Sequence, residues 1–192
     1  MNIIQIGCND CQDDCRTLIT KSPDVVSNFV VVDASYACVQ IAKEKYSFLG
    51  DRLTPVVTAI GLINGVVDFY TPQGDEKSAH SSLSPEHVLM HEHPVLTRQS
   101  LPCLNINSFL ESLRMETIDC LFIDVEGYDV TVLLEMDFTR FKPKFLQYEF
   151  FHSDGTYRSG QKHELLLQKL AENGYTQYKK DQYNISFYLK AS

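Results

Sequence analysis

Residues 2–11 read NIIQIGCNDC, an apolar run that stops abruptly at Gly7, Asn9 and Asp10. A β-branched run closed by a glycine and small polar residues is a buried strand entering a turn. That turn is either one wall of a ligand site or the ordinary end of a strand that carries two cysteines. The pattern recurs downstream. FVVVDA (29–34) and LTPVVTAIG (53–61) read as two further strands, and Asp13 to Ser22 and Tyr36 to Leu49 between them carry apolar residues at helical spacing. Two strand–helix units in succession predict a parallel sheet covered on both faces.

The next segment breaks the rhythm. Asn64-Gly65 between apolar runs predicts a hairpin, followed by a polar, glycine-containing mobile loop through about residue 84. Residues 84–100, with Pro85, Pro94 and three histidines, carry no readable period, and a short strand near 103–107 follows. The parallel pattern resumes at IDCLFIDVEG (118–127) with a helix over 129–136, then at PKFLQYEFF (143–151) with a helix over 161–173. Strands at about 175–180 and 184–190 would form an antiparallel pair at one edge.

Composition narrows the function classes. A chain of 192 residues, 44% hydrophobic, fits one domain spanning 1–192 with a substantial core. A formal charge of −8 argues against a surface that holds the nucleic-acid backbone. No stretch approaches the roughly 20 apolar residues of a membrane span, and the first thirty residues lack a leader pattern. The expectation is a soluble, cytoplasmic protein. Six cysteines are sparse for a disulfide framework, and reduced thiols acting as small hydrophobes fit better. Cys8, Cys11 and Cys15 have spacing that suits metal ligation, but no fourth ligand is marked, so a metal is not favoured there.

In an open α/β sheet, ligands bind at the carboxyl ends of the strands where strand order reverses. Gly7, Asn9 and Asp10 sit at one such end and Asp33 at another, 26 positions beyond Gly7, close to the spacing at which an acid accepts from a ribose diol. A nucleoside-containing cofactor is implied. The turn lacks the further glycines of a pyrophosphate-binding loop. That favours S-adenosylmethionine over a nicotinamide dinucleotide. The fourth strand adds the most specific signal: LFIDVEGYD places Asp124, Glu126 and Asp129 around Gly127. Asp129 can cap the following helix, whereas Asp124 and Glu126 have no simple structural reading.

IIQIGCND, VVVDA, SSL after the hairpin, IDCLFIDVEGYDVTVLLEMDF and PKFLQYEF, in that order, resemble the FkbM-type family of S-adenosylmethionine-dependent methyltransferases. The resemblance implies a class I methyltransferase (Rossmann-like) fold, with a mostly parallel seven-stranded sheet and an antiparallel edge pair. It also implies methyl transfer, usually to a hydroxyl of a sugar, glycan or other natural product. By position, Gly7, Asn9 and Asp10 would line the methionine side of the cofactor and Asp33 would hold the ribose. Ala34, Ser35, Ala59 and Ile60 would flank the adenine, and Asp124 and Glu126 would lie near the transferred methyl. Two departures stand out: Cys11 replaces a usual glycine and could narrow the pocket, and little chain precedes the first strand. The site would then be open, or completed by a second copy in a homo-oligomer.

A hydroxyl acceptor must lose its proton. His152, three positions after Glu149, is the first candidate base. Asp124, Glu126, Glu149 and His152 could instead hold a divalent metal, which is not favoured. His87, His91 and His93 in HVLMHEHP resemble zinc ligands, but Pro94 would end their helix, and a substrate loop to which His80, Ser81 and Ser82 contribute is preferred. Two alternatives stay open: a non-catalytic adenosyl-cofactor-binding module of the same fold, and an NAD-dependent oxidoreductase.

Overall fold

The computed structural model describes residues 1–190; the last two residues of the single domain expected over 1–192 lie outside the described part. Seven strands form the main sheet: β1 (Asn2–Ile6), β2 (Asn28–Asp33), β3 (Leu53–Val57), β7 (Cys120–Ile123), β8 (Phe145–Glu149), β9 (Tyr175–Lys180) and β10 (Asn184–Leu189). Their order is β3-β2-β1-β7-β8-β10-β9. The first five are mutually parallel, and β10 runs antiparallel to both β8 and β9. Strand order reverses between β1 and β7, where Ile6 lies opposite Ile123.

Helices cover both faces. α1 (Asp14–Lys21) and α2 (Tyr36–Lys45) lie on one side, over a core that includes Ile3, Phe29, Tyr46 and five of the six cysteines. All six thiols are free and buried, so they pack as small hydrophobes. The opposite face carries α4 (Ile106–Ser112), α5 (Asp129–Glu135) and α6 (Gln161–Glu172) over Ile4, Leu121, Leu146 and Tyr148. Local chemistry starts two of the helices: Asp13 accepts the Arg16 N–H at α1, and Ser35 accepts the Cys38 N–H at α2.

Four expectations are corrected. The run 53–61 is two strands: Thr58 ends β3, and β4 (Ala59–Gly61) joins a second sheet ordered β4-β6-β5. The Thr58 hydroxyl donates to the Pro102 carbonyl, and its own N–H donates to the Asp33 carbonyl, so it bonds to both sheets at the break. Asn64-Gly65 is a turn but not a hairpin, because β5 (Gly65–Pro72) pairs with β6 (Leu96–Asn105), which lies between β5 and β4. The unreadable 84–100 segment holds α3 (Pro85–Met90), capped by Ser84, and the start of β6. Asp129 is not a cap. Tyr128 occupies the cap position, and the buried Asp129 carboxylate instead accepts the Val125 N–H at 3.1 Å, bracing the turn after β7.

No helix among the described residues is long and apolar enough to cross a membrane.

Candidate functional site

Gly7 and Asp124 meet at the reversal point. Gly7 has φ +76°, and a Cβ there would sit 1.6 Å from the Asp124 carbonyl oxygen, so no side chain fits. The glycine is dictated by the neighbouring strand end. The Gly7 N–H is already bonded to the Val32 carbonyl, and the Asp124 N–H to the Ile6 carbonyl.

Asp33 organises the loop beyond Gly7. One oxygen accepts the N–H groups of Cys8 (2.9 Å) and Asn9 (3.1 Å), and the other accepts that of Ser35 (2.8 Å). An ionised carboxylate offers about four acceptor positions, so the bonds that fix the loop leave capacity for a ribose hydroxyl. Asn9 (φ 40°) and Cys11 (φ 55°) are both left-handed, the conformation glycine enters most easily. Cys11 thus holds a conformation that a glycine would adopt more easily. Cys11 is fully buried in the α1–α2 core and lies off the cavity wall, so it does not narrow the pocket.

A cavity of about 190 Å³ opens above these strand ends. Gly7, Asn9, Asp33, Ala34, Ser35, Ala59, Ile60, Asp124 and Glu126 line it, together with Ser81 from the segment after β5. Ser81 Oγ is buried and has no hydrogen-bond partner among the described residues. Five expected residues stand off this wall: Glu149 and His152 deeper in, and Asp10, Ser82 and His80. Asp10 is exposed and bonds the Gln12 backbone and side chain. Its place on the wall is taken by Gln12 and Asp13, which the sequence reading passed over because Asp13 only opens the helical spacing that runs to Ser22. Ser82 is buried and donates to the Glu126 carbonyl at 2.8 Å, holding the loop over the sheet. His80 stacks on His91 with ring centres 4.0 Å apart and bonds His93.

A wider cleft of about 710 Å³ adjoins the cavity, and Gly7, Gln12, Asp13 and Asp124 belong to both walls. Its far side carries Gln147, Lys179, Asp181 and Asn184. Asp124 faces this junction. Asp124 is itself solvent-exposed at this junction; the protein packed around it, with Asp13 and Asp33 nearby, pushes its carboxyl up to about 6.

Deeper in, three more carboxyls crowd together. Burial, then the neighbouring acids, raises Glu126 to about 10, Asp129 to about 8 and Glu149 to about 9. Glu126 Oε2 lies 3.0 Å from His87 Nε2. His152 is 5% exposed and off the cavity wall, and its Nδ1 accepts the Tyr157 N–H at 2.8 Å. The neutral ring therefore carries its proton on Nε2, 3.7 Å from Glu149. At that separation the Nε2–H makes no hydrogen bond to Glu149, and with Nδ1 occupied the ring has no free lone pair for an acceptor's proton.

His87, His91 and His152 converge here, from α3, its C-cap and the loop after β8. Burial and the neighbouring rings hold His87 down to about 3 and His91 down to about 4, so both are neutral near pH 7. The sequence concealed this cluster because His152 lies 61 positions beyond His91.

The sequence profile of the methyltransferase FkbM domain matches residues 2–176. The chain belongs to the FkbM methyltransferase family. Membership makes it an S-adenosylmethionine-dependent methyltransferase domain. Among solved structures, the FkbM methyltransferase of Methylobacillus flagellatus KT superposes with a TM-score of 0.51 at 12% identity, over 98% of this chain and 43% of that one. That likeness supports the class I fold of the FkbM domain. An S-adenosylhomocysteine-bound Podospora anserina methyltransferase, PaMTH1, aligns with a TM-score of 0.47 at 11% identity, over 99% of this chain and 72% of that one. No curated protein matches the chain in sequence.

Proposed function

We propose that this FkbM domain methylates a hydroxyl of a sugar, glycan or small natural product, with Asp124 taking the acceptor's proton. The observation that carries the reading is the position of Asp124 on the wall shared by the narrow cavity and the wider cleft. The cavity suits the adenosyl half of S-adenosylmethionine: Asp33 toward the ribose, Ala34, Ser35, Ala59 and Ile60 around the base, Gly7 and Asn9 toward the methionine end. When bound, the cofactor supplies a methyl already activated by its sulfonium. What remains for the chain is alignment and proton removal. The cleft suits a polyhydroxylated acceptor, because amides and carboxylates at Gln147, Asp181 and Asn184 can pair several hydroxyls.

A carboxyl raised to about 6 is ionised at pH 7 yet basic enough to accept a proton as the acceptor oxygen attacks. His152 is less suited, since the Tyr157 N–H occupies its Nδ1. The six free, buried thiols support a reducing, cytoplasmic setting.

The test is transfer of labelled methyl from S-adenosylmethionine to a panel of sugars, glycans and hydroxylated small molecules. Asp124→Asn should lower turnover by about 100-fold or more while binding S-adenosylhomocysteine as before. Label recovered on nitrogen or carbon, or turnover undiminished in Asp124→Asn, would overturn the reading.

A further inference from the structure

Three imidazoles from two distant parts of the chain meet beside the candidate site, and methyl transfer assigns them no task. One ring nitrogen from each of His87, His91 and His152 lies within 4.8 Å of the other two. We propose that these histidines bind one divalent transition-metal ion of the zinc class, which clips the α3 segment to the turn at 152–157. Imidazole donors select zinc, cobalt, nickel or copper, whereas magnesium and calcium prefer oxygen.

The hydrogen bonds around the rings sort their nitrogens. His87 and His91 each have a hydrogen-bonded outer partner of the kind that metal-bound histidines use. His87 Nε2 is 3.0 Å from the Glu126 carboxyl and His91 Nδ1 is 3.0 Å from the Tyr157 hydroxyl, whereas His152 Nε2 only faces the Glu149 carboxyl, at 3.7 Å. With protons on those outer nitrogens, the lone pairs fall on His87 Nδ1, His152 Nδ1 and His91 Nε2. One turn meets two of these lone pairs. The Thr156 hydroxyl lies 3.3 Å from His87 Nδ1, and the Tyr157 N–H donates to His152 Nδ1. The third, His91 Nε2, is buried and has no partner among the described residues.

An ion would thus replace the donors of Thr156 and Tyr157, and this turn is the part that must yield. Tyr157 sits there at φ 61° and half exposed, beside Gly155 at φ 108°. Zinc–nitrogen bonds of about 2.0–2.1 Å place tetrahedral ligands roughly 3.3 Å apart, so ring rotations of order 1 Å complete the site. The fourth position falls to water. Because Glu126 bonds His87 and also lines the cofactor cavity, the clip would hold the cavity's cover in register with its floor.

The experiment is titration of chelator-treated full chain with Co²⁺, followed by visible absorption, with no cofactor present. The proposal expects one Co²⁺ per chain and a d–d spectrum without thiolate charge transfer. Zn²⁺ should displace the ion and excess Mg²⁺ should not. His91→Ala and His152→Gln should each weaken binding by at least tenfold, with folding checked by circular dichroism, while His93→Ala binds normally. If His152→Gln does not fold, the half-buried His91 decides alone. Absence of binding, a thiolate spectrum pointing to the cysteine-rich core, or undiminished affinity in His91→Ala would overturn the proposal.

Discussion

Single positions carry most of the site's logic. Gly7→Ala places a methyl against the Asp124 carbonyl and should cost on the order of 3 kcal/mol or prevent folding; denaturant titration would measure it, and an unchanged midpoint would mean that the β1 and β7 ends can part. Cys11→Gly, by contrast, should leave S-adenosylhomocysteine affinity within about twofold, because Cys11 packs into the core behind the loop. For Asp124, the working form is the ionised one, so turnover should rise with pH through about 6 and then level off, and Asp124→Asn should remove that dependence. Gly7, Asp33 and Asp124 were legible in the sequence because a glycine or an acid directly after an apolar run marks a strand end. Asp10 was misplaced and Asp13 missed because neighbouring acids in one turn look alike until the turn's direction is known. The histidine cluster was invisible for another reason: its members share no local spacing.

At the scale of elements, the main sheet was readable wherever one hydrophobic run made one strand. It failed at 53–61, where a single run feeds two sheets and Thr58 marks the break only through bonds to Asp33 and Pro102. Of β6, in the second sheet, only the end was read, as a strand near 103–107, because Arg98, Gln99 and Pro102 dilute its apolar pattern, and α4, seven residues long and so under two turns of period, was missed. Packing between elements supplies what local sequence lacks. The Lys169 ammonium from α6 donates to the carbonyls of Leu134 and Met136 at the end of α5, at 2.6 and 2.7 Å. Lys169→Met keeps the stem and removes those bonds, so it should lower stability by about 1–2 kcal/mol, read from thermal or denaturant melts.

Taken whole, the molecule concentrates raised carboxyls at the strand ends. Glu126, Asp129 and Glu149 hold protons in the fold that they lose when unfolded, where Asp and Glu titrate near 3.8 and 4.5. Their stabilisation is complete below those values and is lost as pH rises toward about 8 to 10. The depressed His87 and His91 act oppositely, but only between about 3 and the ordinary 6.5. Above pH 7 the carboxyls dominate, so the free protein should melt lower at pH 9 than at pH 7; an equal or higher melting temperature at pH 9 would mean that these acids are ionised and paired. Binding a cationic sulfonium at this acidic floor is the compensation the arrangement suggests. The most direct measurement is therefore calorimetric titration of the folded protein with S-adenosylmethionine and S-adenosylhomocysteine, with NAD for comparison and Asp33→Ala as the control. One adenosyl ligand should bind per chain at micromolar strength, with binding lost in Asp33→Ala and not matched by NAD. Folded protein that binds neither adenosyl ligand, or binds NAD in preference, would contradict it.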